Sequence, residues 1–345
     1  MKELLTTNDV VFLCTIEDAL RQGGIDFAVF DASMSVIEGS IGILPRRVMV
    51  VDGHYQRARD LVERLEQHPL GLQDGADEGA LAGVDEAATL ADIDLTDDLF
   101  LGGALEMYQP KCGFRSGIDA VLLAASIPDC GAMRVLEAGC GAGVVSLSIA
   151  VRCQAALVEA IEIEEVNVAI ARKNAERNHL SDRVSIYLGD LYDPVTQLEL
   201  LGFKRNSYDF VVANPPFYDE REARVSNNPL RRRAKRAMAE TLEEWVRFLT
   251  AMAAPKGVIS LIHRADKLDD LLAVLSRRFG GVKIFPLYPK PNEPANRVIV
   301  QGVKGSRAPL TLMQGLVLHD ENGDYTPEVK DLCAAPNMHP AFDRL

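Results

Sequence analysis

Asn214-Pro215-Pro216-Phe217 follows the apolar run Phe210-Val211-Val212-Ala213. Two prolines directly after a strand withhold two N–H donors and hold the backbone extended or turning. Carbonyl oxygens and an amide side chain are then left facing a cleft, with an aromatic ring beside them. That set suits one chemical problem. An amine whose lone pair is delocalised into a π-system, such as the exocyclic amine of adenine or an amide nitrogen, is a poor nucleophile. The Asn214 side-chain oxygen and the Pro215 carbonyl can each accept one N–H bond, drawing electron density toward nitrogen and out of the plane. Phe217 can stack on the flat acceptor and hold it for in-line attack. Positioning of this kind supplies several kcal/mol of barrier reduction, and acceptors aimed at developing charge add to it. Asn214, Pro215, Pro216 and Phe217 are therefore the candidate catalytic set, and they require no metal. In isolation the tetrapeptide also reads as a Pro-Pro turn with a packed phenylalanine.

A second constellation is Glu137-Ala138-Gly139-Cys140-Gly141-Ala142-Gly143, which follows a strand and opens a helix. Glycines let the backbone turn sharply and approach a ligand, and free N–H groups at a helix start bind polar groups. Dinucleotide-binding proteins use similar loops. Two acids favour S-adenosylmethionine (SAM) instead. Glu137 can hold the methionine amino group, whereas it would repel a pyrophosphate. Glu162, at the end of the next strand, is placed to accept from two ribose hydroxyls, the usual role of an acid about 20 residues beyond such a loop. Asp190, after the strand Val184–Leu188, is a third candidate, for the adenine amine of the cofactor; a turn aspartate is an equal alternative.

These groups need a sheet edge to bring them together. Candidate strands are 134–137, 157–163, 184–188, 208–213, 258–263, 282–287 and 297–302, with helices over 165–178, 242–253 and 267–279 between several of them. Such alternation predicts a parallel sheet covered on both faces. The last two strands are joined by a short proline-rich stretch, too short for a parallel crossover, and should pair antiparallel. The expected class is α/β, a Rossmann-like seven-stranded methyltransferase sheet with a small N-terminal ferredoxin-like α+β domain. That domain, residues 1–68, reads β-α-β-β-α: strands 3–6, 26–30 and 46–51, and helices from Asn8 or Asp9 to Gly23 and over 53–67. Residues 67–98 hold nine Asp or Glu and no Lys or Arg, a composition of mobile tethers. The expected division is 1–68, a flexible acidic linker over 69–98, and a catalytic domain over 99–345.

The net charge of -13 does not advertise a nucleic-acid binder, but the acidic linker supplies much of it, and phosphate affinity follows local clusters. One such cluster follows the Asn-Pro-Pro-Phe segment: Arg221, Arg224, Arg231, Arg232, Arg233, Lys235 and Arg236. On this fold it leaves the catalytic edge, where it can contact RNA phosphates. A base reaching Phe217 must be unpaired or flipped, which a loop nucleotide does cheaply. The six cysteines are scattered, with no CxxC pair, which argues against a zinc site or disulfide framework and fits a reducing cytoplasm. No apolar run is long enough for a membrane helix, and no secretory signal is expected in the first residues.

The chain resembles the class I SAM-dependent methyltransferases with an NPPF motif. From about Phe100 to Leu332 it is similar to bacterial N6-adenine methyltransferases acting on the anticodon loop of a valine tRNA. The likeness rests on Gln109–Leu123, Glu137–Gly143, Asn214–Phe217, Leu261–Asp266 and Gly302–Arg307. It implies SAM contacts from Glu137, Gly139, Gly141, Glu162 and Asp190, with Gly143 in the same loop. It also implies that the segment containing Arg115, Gly117 and Asp119 covers the cofactor. The target amine would be held by Asn214, Pro215 and Phe217. The motif does not separate adenine from guanine or glutamine, so rRNA guanine or a protein glutamine amide stays open. Over Asn8–Val51 the chain resembles a small family of prokaryotic signal-transducing proteins likened to PII-type regulators. This admits a small-molecule ligand for the N-terminal domain, and a regulator that binds SAM without turnover. His263 reads as structural.

Overall fold

A computed structural model describes residues 1–7, 16, 20, 24–30, 46–67, 93–111, 115–193, 195–216 and 242–334. The chain divides into two compact units, Met1–Thr96 with Pro110–Gly117, and Asp97–Gln109 with Ile118–Leu345.

In the first unit, strands β1 (Lys2–Thr7), β2 (Phe27–Phe30) and β3 (Arg46–Val50) form a sheet in the order β1-β3-β2. β3 is antiparallel to both neighbours, so β1 and β2 run parallel with a strand between them. This is the split βαβ arrangement expected from the sequence. Helix α1 (Tyr55–Gln67) follows. Val48 and Val50 of β3 are buried with Ala58 and Val62 of α1, and with the helical residues Ile16 and Leu20. Each helical pair is four residues apart, the spacing that puts two side chains on one face. Most of the expected helix from Asn8 to Gly23 lies outside the described residues, as does the segment 31–45.

Strands β4 (Leu95–Phe100) and β5 (Leu105–Pro110) pair as a two-stranded sheet, and its residues from Asp97 to Gln109 belong to the second unit. Composition predicts a mobile tether through Asp98, whereas Leu95–Asp98 belong to β4. The acids there are held: Arg177 pairs with Asp97 at 2.9 Å, and the Gln109 amide donates to Asp98 at 2.9 Å. Partnered acids between apolar residues no longer favour an extended, solvated chain. The earlier part of the expected tether, 69–92, lies outside the described residues.

The large sheet is built from β6 (Arg134–Ala138), β7 (Leu157–Glu162), β8 (Val184–Leu188), β9 (Tyr208–Ala213), β10 (Ala253–Arg264), β11 (Phe279–Tyr288) and β12 (Arg297–Lys304), with two short strands, β13 (Thr311–Leu312) and β14 (Leu316–Val317), at one side. The order is β13-β11-β12-β10-β9-β6-β7-β8, with β14 also on β11. β12 runs antiparallel to β10 and β11, and the other pairs are parallel. The short connection after β11 thus makes the expected antiparallel pair.

Helices α2 (Ile118–Ala125), α3 (Val144–Arg152), α4 (Glu165–Arg177), α5 (Val195–Leu200), α6 (242–252), α7 (Leu268–Leu275) and α8 (Pro327–Ala334) complete the unit. Successive strand residues serve opposite faces. In β9, Phe210 and Val212 join the core with α2 and α3, while Val211 and Ala213 join the core with α6. Where a strand is buried on both sides it must be apolar, which is why Phe210–Ala213 is an unbroken hydrophobic run while Asp209, near the start of β9, is exposed. A satisfied polar cluster pins α2 to the sheet: the Gln301 amide donates to the Ser126 carbonyl at 2.8 Å, and the Ser126 and Ser260 hydroxyls meet at 3.0 Å.

Candidate active site at the switch point of the sheet

After β6 the chain adds β7 and β8 on one side, then returns to place β9 on the other. The carboxyl ends of β6 and β9 flank that reversal, where open α/β sheets leave a crevice for ligands. Strand register fixes what meets there. Ala138 of β6 is paired with Ile161 of β7 and with Ala213 of β9. Gly139, Glu162 and Asn214 therefore leave the sheet at one level. Glu162 is paired with Leu188 of β8, so Gly189 and Asp190 follow one step on. On the other side, Ala213 pairs with Leu261 of β10, which brings His263 toward the same edge.

The glycine loop is a tight, hydrogen-bonded turn. Gly139, Gly141 and Gly143 have φ of 65°, 54° and 89°, a region costly for side-chain-bearing residues. The Gly139 N–H donates to the Ile161 carbonyl at 2.8 Å, and Gly143 closes on Cys140 at 2.9 Å. Glu162 is buried and accepts three backbone bonds: from Gly141 at 2.8 Å, Ile163 at 3.1 Å and Glu164 at 3.0 Å. A carboxylate offers about four lone-pair sites. Glu162 can thus take one further hydroxyl as it stands, and a second would displace one of these bonds.

Glu137 is 1% exposed. It accepts from the Ser146 N–H at 2.9 Å and from the Ser146 hydroxyl. No cation pairs with it among the described residues. Burial pushes its carboxyl up to about 8; the Ser146 bonds oppose this and the Glu162 charge adds to it. The folded chain therefore keeps a proton on Glu137 that the unfolded chain releases near the ordinary value of 4.5. Stability must fall as pH rises from that value through about 8, and then level off. Urea unfolding across this range should show a steeper loss for wild type than for Glu137→Gln. Equal slopes would mean that the carboxyl titrates normally.

Asn214 is partly buried, and its Oδ1 atom is buried with no hydrogen-bond partner among the described residues. Pro215 is buried and Pro216 exposed. Phe217 and the seven basic residues from Arg221 to Arg236 lie outside the described residues. In Asp190, the carboxylate accepts from the Tyr192 N–H at 2.8 Å, so one oxygen serves the turn. Asp119, in the first turn of α2, pairs with Arg297 Nε at 3.1 Å. Burial raises its carboxyl against the pull of that guanidinium. Arg297 opens β12 and is paired in register with Arg264, which in turn binds Asp266 at 2.8 Å. His263 is buried and held below the ordinary histidine value by desolvation, as suits a neutral structural ring. Arg115 and Gly117 are partly buried in the stretch before α2, which groups with the N-terminal unit.

Two contributors escape sequence reasoning. Trp245, the single tryptophan, packs from α6 against the glycine loop: a Cβ on Gly139 would lie 2.4 Å from its ring. Arg297 answers Asp119 across 178 positions of sequence. The helix carrying Trp245 is predictable, but which loop its ring meets is not. Among the described residues no cluster of His, Cys, Asp or Glu is placed to hold a metal ion, and no helix is long and apolar enough to cross a membrane.

The sheet order and the loop at its switch point define a class I methyltransferase, an enzyme that depends on SAM. A crystal structure of a predicted O-methyltransferase from Agrobacterium tumefaciens has the same fold, with TM-score 0.52 and 29% identity over 62% of this chain and 94% of that one. Residues 116–247 match the methyltransferase small domain, and residues 1–66 match a family described as "Putative prokaryotic signal transducing protein". A tRNA1(Val) (adenine(37)-N6)-methyltransferase from Porphyromonas gingivalis is 30% identical over 246 residues, 67% of this chain and 91% of the relative. One from Musicola paradisiaca is 24% identical over 69% of this chain and 94% of its own length. The chain belongs to the family of tRNA1(Val) (adenine(37)-N6)-methyltransferases.

Proposed function

We propose that this chain transfers a methyl group from SAM to the N6 amine of an adenine in a tRNA anticodon loop. The observation that carries the reading is the Asn214 Oδ1 atom, buried and without a partner among the described residues, level with the glycine loop at the switch point. Leaving a buried acceptor unsatisfied is costly, and a substrate N–H supplies what it lacks.

The residues at the edge suit SAM. Glu137 is a buried acid with no cationic partner among the described residues; an ammonium group beside it would favour loss of its proton and supply the missing counter-charge. Glu162 retains acceptor capacity for a ribose hydroxyl. Gly139, Gly141 and Gly143 allow close approach of the loop, and Asp190 stands where an adenine amine could be accepted. Arg115, Gly117 and Asp119 belong to the segment that would cover the cofactor. Bound there, SAM supplies an electrophilic methyl group on a sulfonium.

The chain's own part is to prepare the nucleophile. Asn214 Oδ1 accepts one N–H of the adenine amine and the Pro215 carbonyl accepts the other. Both bonds strengthen as positive charge builds on nitrogen, so they favour the transition state over the ground state. Pro216 stiffens the turn that aims them. Phe217 stacks on the base and fixes its plane.

Arg221, Arg224, Arg231, Arg232, Arg233, Lys235 and Arg236 would hold the RNA backbone. Changing Arg231, Arg232 and Arg233 together to alanine should weaken tRNA binding and flatten its salt dependence by roughly two to three units of slope. Fluorescence anisotropy against salt concentration checks this, and an unaltered slope removes the segment from the interface. Nucleoside mass spectrometry of RNA from cells lacking the protein, with restoration in vitro by labelled SAM, tests the reaction itself. Loss of a methylated guanine, or labelling of a protein glutamine, would replace adenine as the acceptor. SAM binding without any transfer would favour a regulator.

A further inference from the structure

Both sides of the start of helix α3 are satisfied by side chains. The Ser146 N–H lies in the first turn after the N-cap Gly143, where a helix offers it no acceptor of its own. It donates to Glu137 at 2.9 Å. The Ala142 carbonyl belongs to a buried residue of the glycine loop, and a buried carbonyl without a donor is destabilising. The side-chain amide of Asn174, on α4, donates to it at 3.0 Å. The shape of the loop therefore depends on a side chain from a different helix.

The same amide also grips β5. Its second N–H donates to the Tyr108 carbonyl at 2.9 Å, and its oxygen accepts the Tyr108 N–H at 2.7 Å. Asn178, four residues on and capping the C-terminal end of α4, repeats the pattern on Glu106, accepting at 2.9 Å and donating at 2.7 Å. Alternate residues of a strand turn their backbone groups to the same side. The two asparagines, on one helix face, thus stand in for a neighbouring strand along β5. Arg177 reinforces the contact, with its guanidinium 4.3 Å from the Tyr108 ring centroid and 2.6 Å from the Glu106 carboxylate. Of the two asparagines, Asn174 alone also reaches the loop.

We propose that Asn174 is a positioning residue: it ties the Gly139–Gly143 loop to the β4–β5 hairpin and thereby sets the affinity of the chain for the methionine end of SAM. The inference rests on the reading of that loop as the cofactor site. Asn174 is fully buried and acts through the Ala142 carbonyl. Asn178 makes the matching hairpin contacts without touching the loop, which provides the control.

The test is calorimetric titration of SAM into the full-length wild type, Asn174→Ala and Asn178→Ala, with the Tm of each. Asn174→Ala should weaken SAM binding by about tenfold or more, while Asn178→Ala lowers Tm but leaves Kd within about twofold. In turnover, KM for SAM should rise in Asn174→Ala with KM for RNA unmoved. If Asn174→Ala does not fold, Asn174→Asp keeps the acceptor for Tyr108 but cannot donate to Ala142, and the same loss is expected. Unchanged Kd in the Asn174 variants, or equal loss in Asn178→Ala, would overturn the proposal. A wild type that does not bind SAM would overturn the cofactor reading along with it.

Discussion

Asn214→Ala should lower kcat for methyl transfer by about 10²–10³-fold while leaving SAM affinity within about twofold. The split follows from placement. Asn214 leaves β9 on the far side of Gly139 from Glu162, so truncating it removes nothing from the loop or the acids proposed to hold the cofactor. What it removes is one of the two acceptors proposed for the amine. Losing a preorganised acceptor of this kind costs the transition state more than the ground state. Single-turnover kinetics with saturating RNA, beside calorimetry with SAM, separates the two effects. Asn214→Asp is an informative companion, since it retains an acceptor oxygen and changes the charge. Full activity in Asn214→Ala would end the assignment of this side chain to chemistry.

The second large effect is expected at Gly139. Its φ of 65° disfavours any side chain, and a Cβ would lie 2.4 Å from the Trp245 ring. Trp245 is 7% exposed and packed in the core under the sheet, so the ring has little room to move. Gly139→Ala should destabilise the chain by about 1–3 kcal/mol through overpacking, with strain from the backbone in addition. It should also weaken SAM binding, because the loop that shifts is the one that would contact the cofactor. Trp245→Leu in the same chain should return part of the loss, as expected for two residues in direct contact. Strictly additive effects in denaturant unfolding would show that the ring and the loop are not coupled.

Much of this site is legible in the sequence because its parts are local. The glycine loop, the acids at strand ends and the Asn-Pro-Pro segment are contiguous motifs, and alternation of strands and helices places each at a carboxyl end. The boundaries of β8 and β9 match those expected from their largely apolar segments. Long-range partners are not legible. Nothing near Asp119 announces Arg297, and nothing near Ala142 announces Asn174, because those pairs exist only once the strand order is known. Composition also misleads at Asp97 and Asp98, where acids that read as solvated are held by Arg177 and Gln109. The Glu162 carboxylate shows a subtler limit. Its position is foreseeable, but the three backbone bonds that occupy it depend on how the loop closes.

The reversal of strand order at β6 partitions the domain. The groups proposed to hold the methyl donor come from its first stretch, and those proposed to hold the acceptor from the stretch beginning at β9. On that reading, chimeras spliced between α5 and β9 should exchange target preference while keeping the methyl-donor pocket. Trp245 sets the condition on such grafts: it sits in the acceptor half yet wedges against Gly139 in the donor half. A transplanted second half must bring an aromatic ring of matching size to that spot, or the seam will not close.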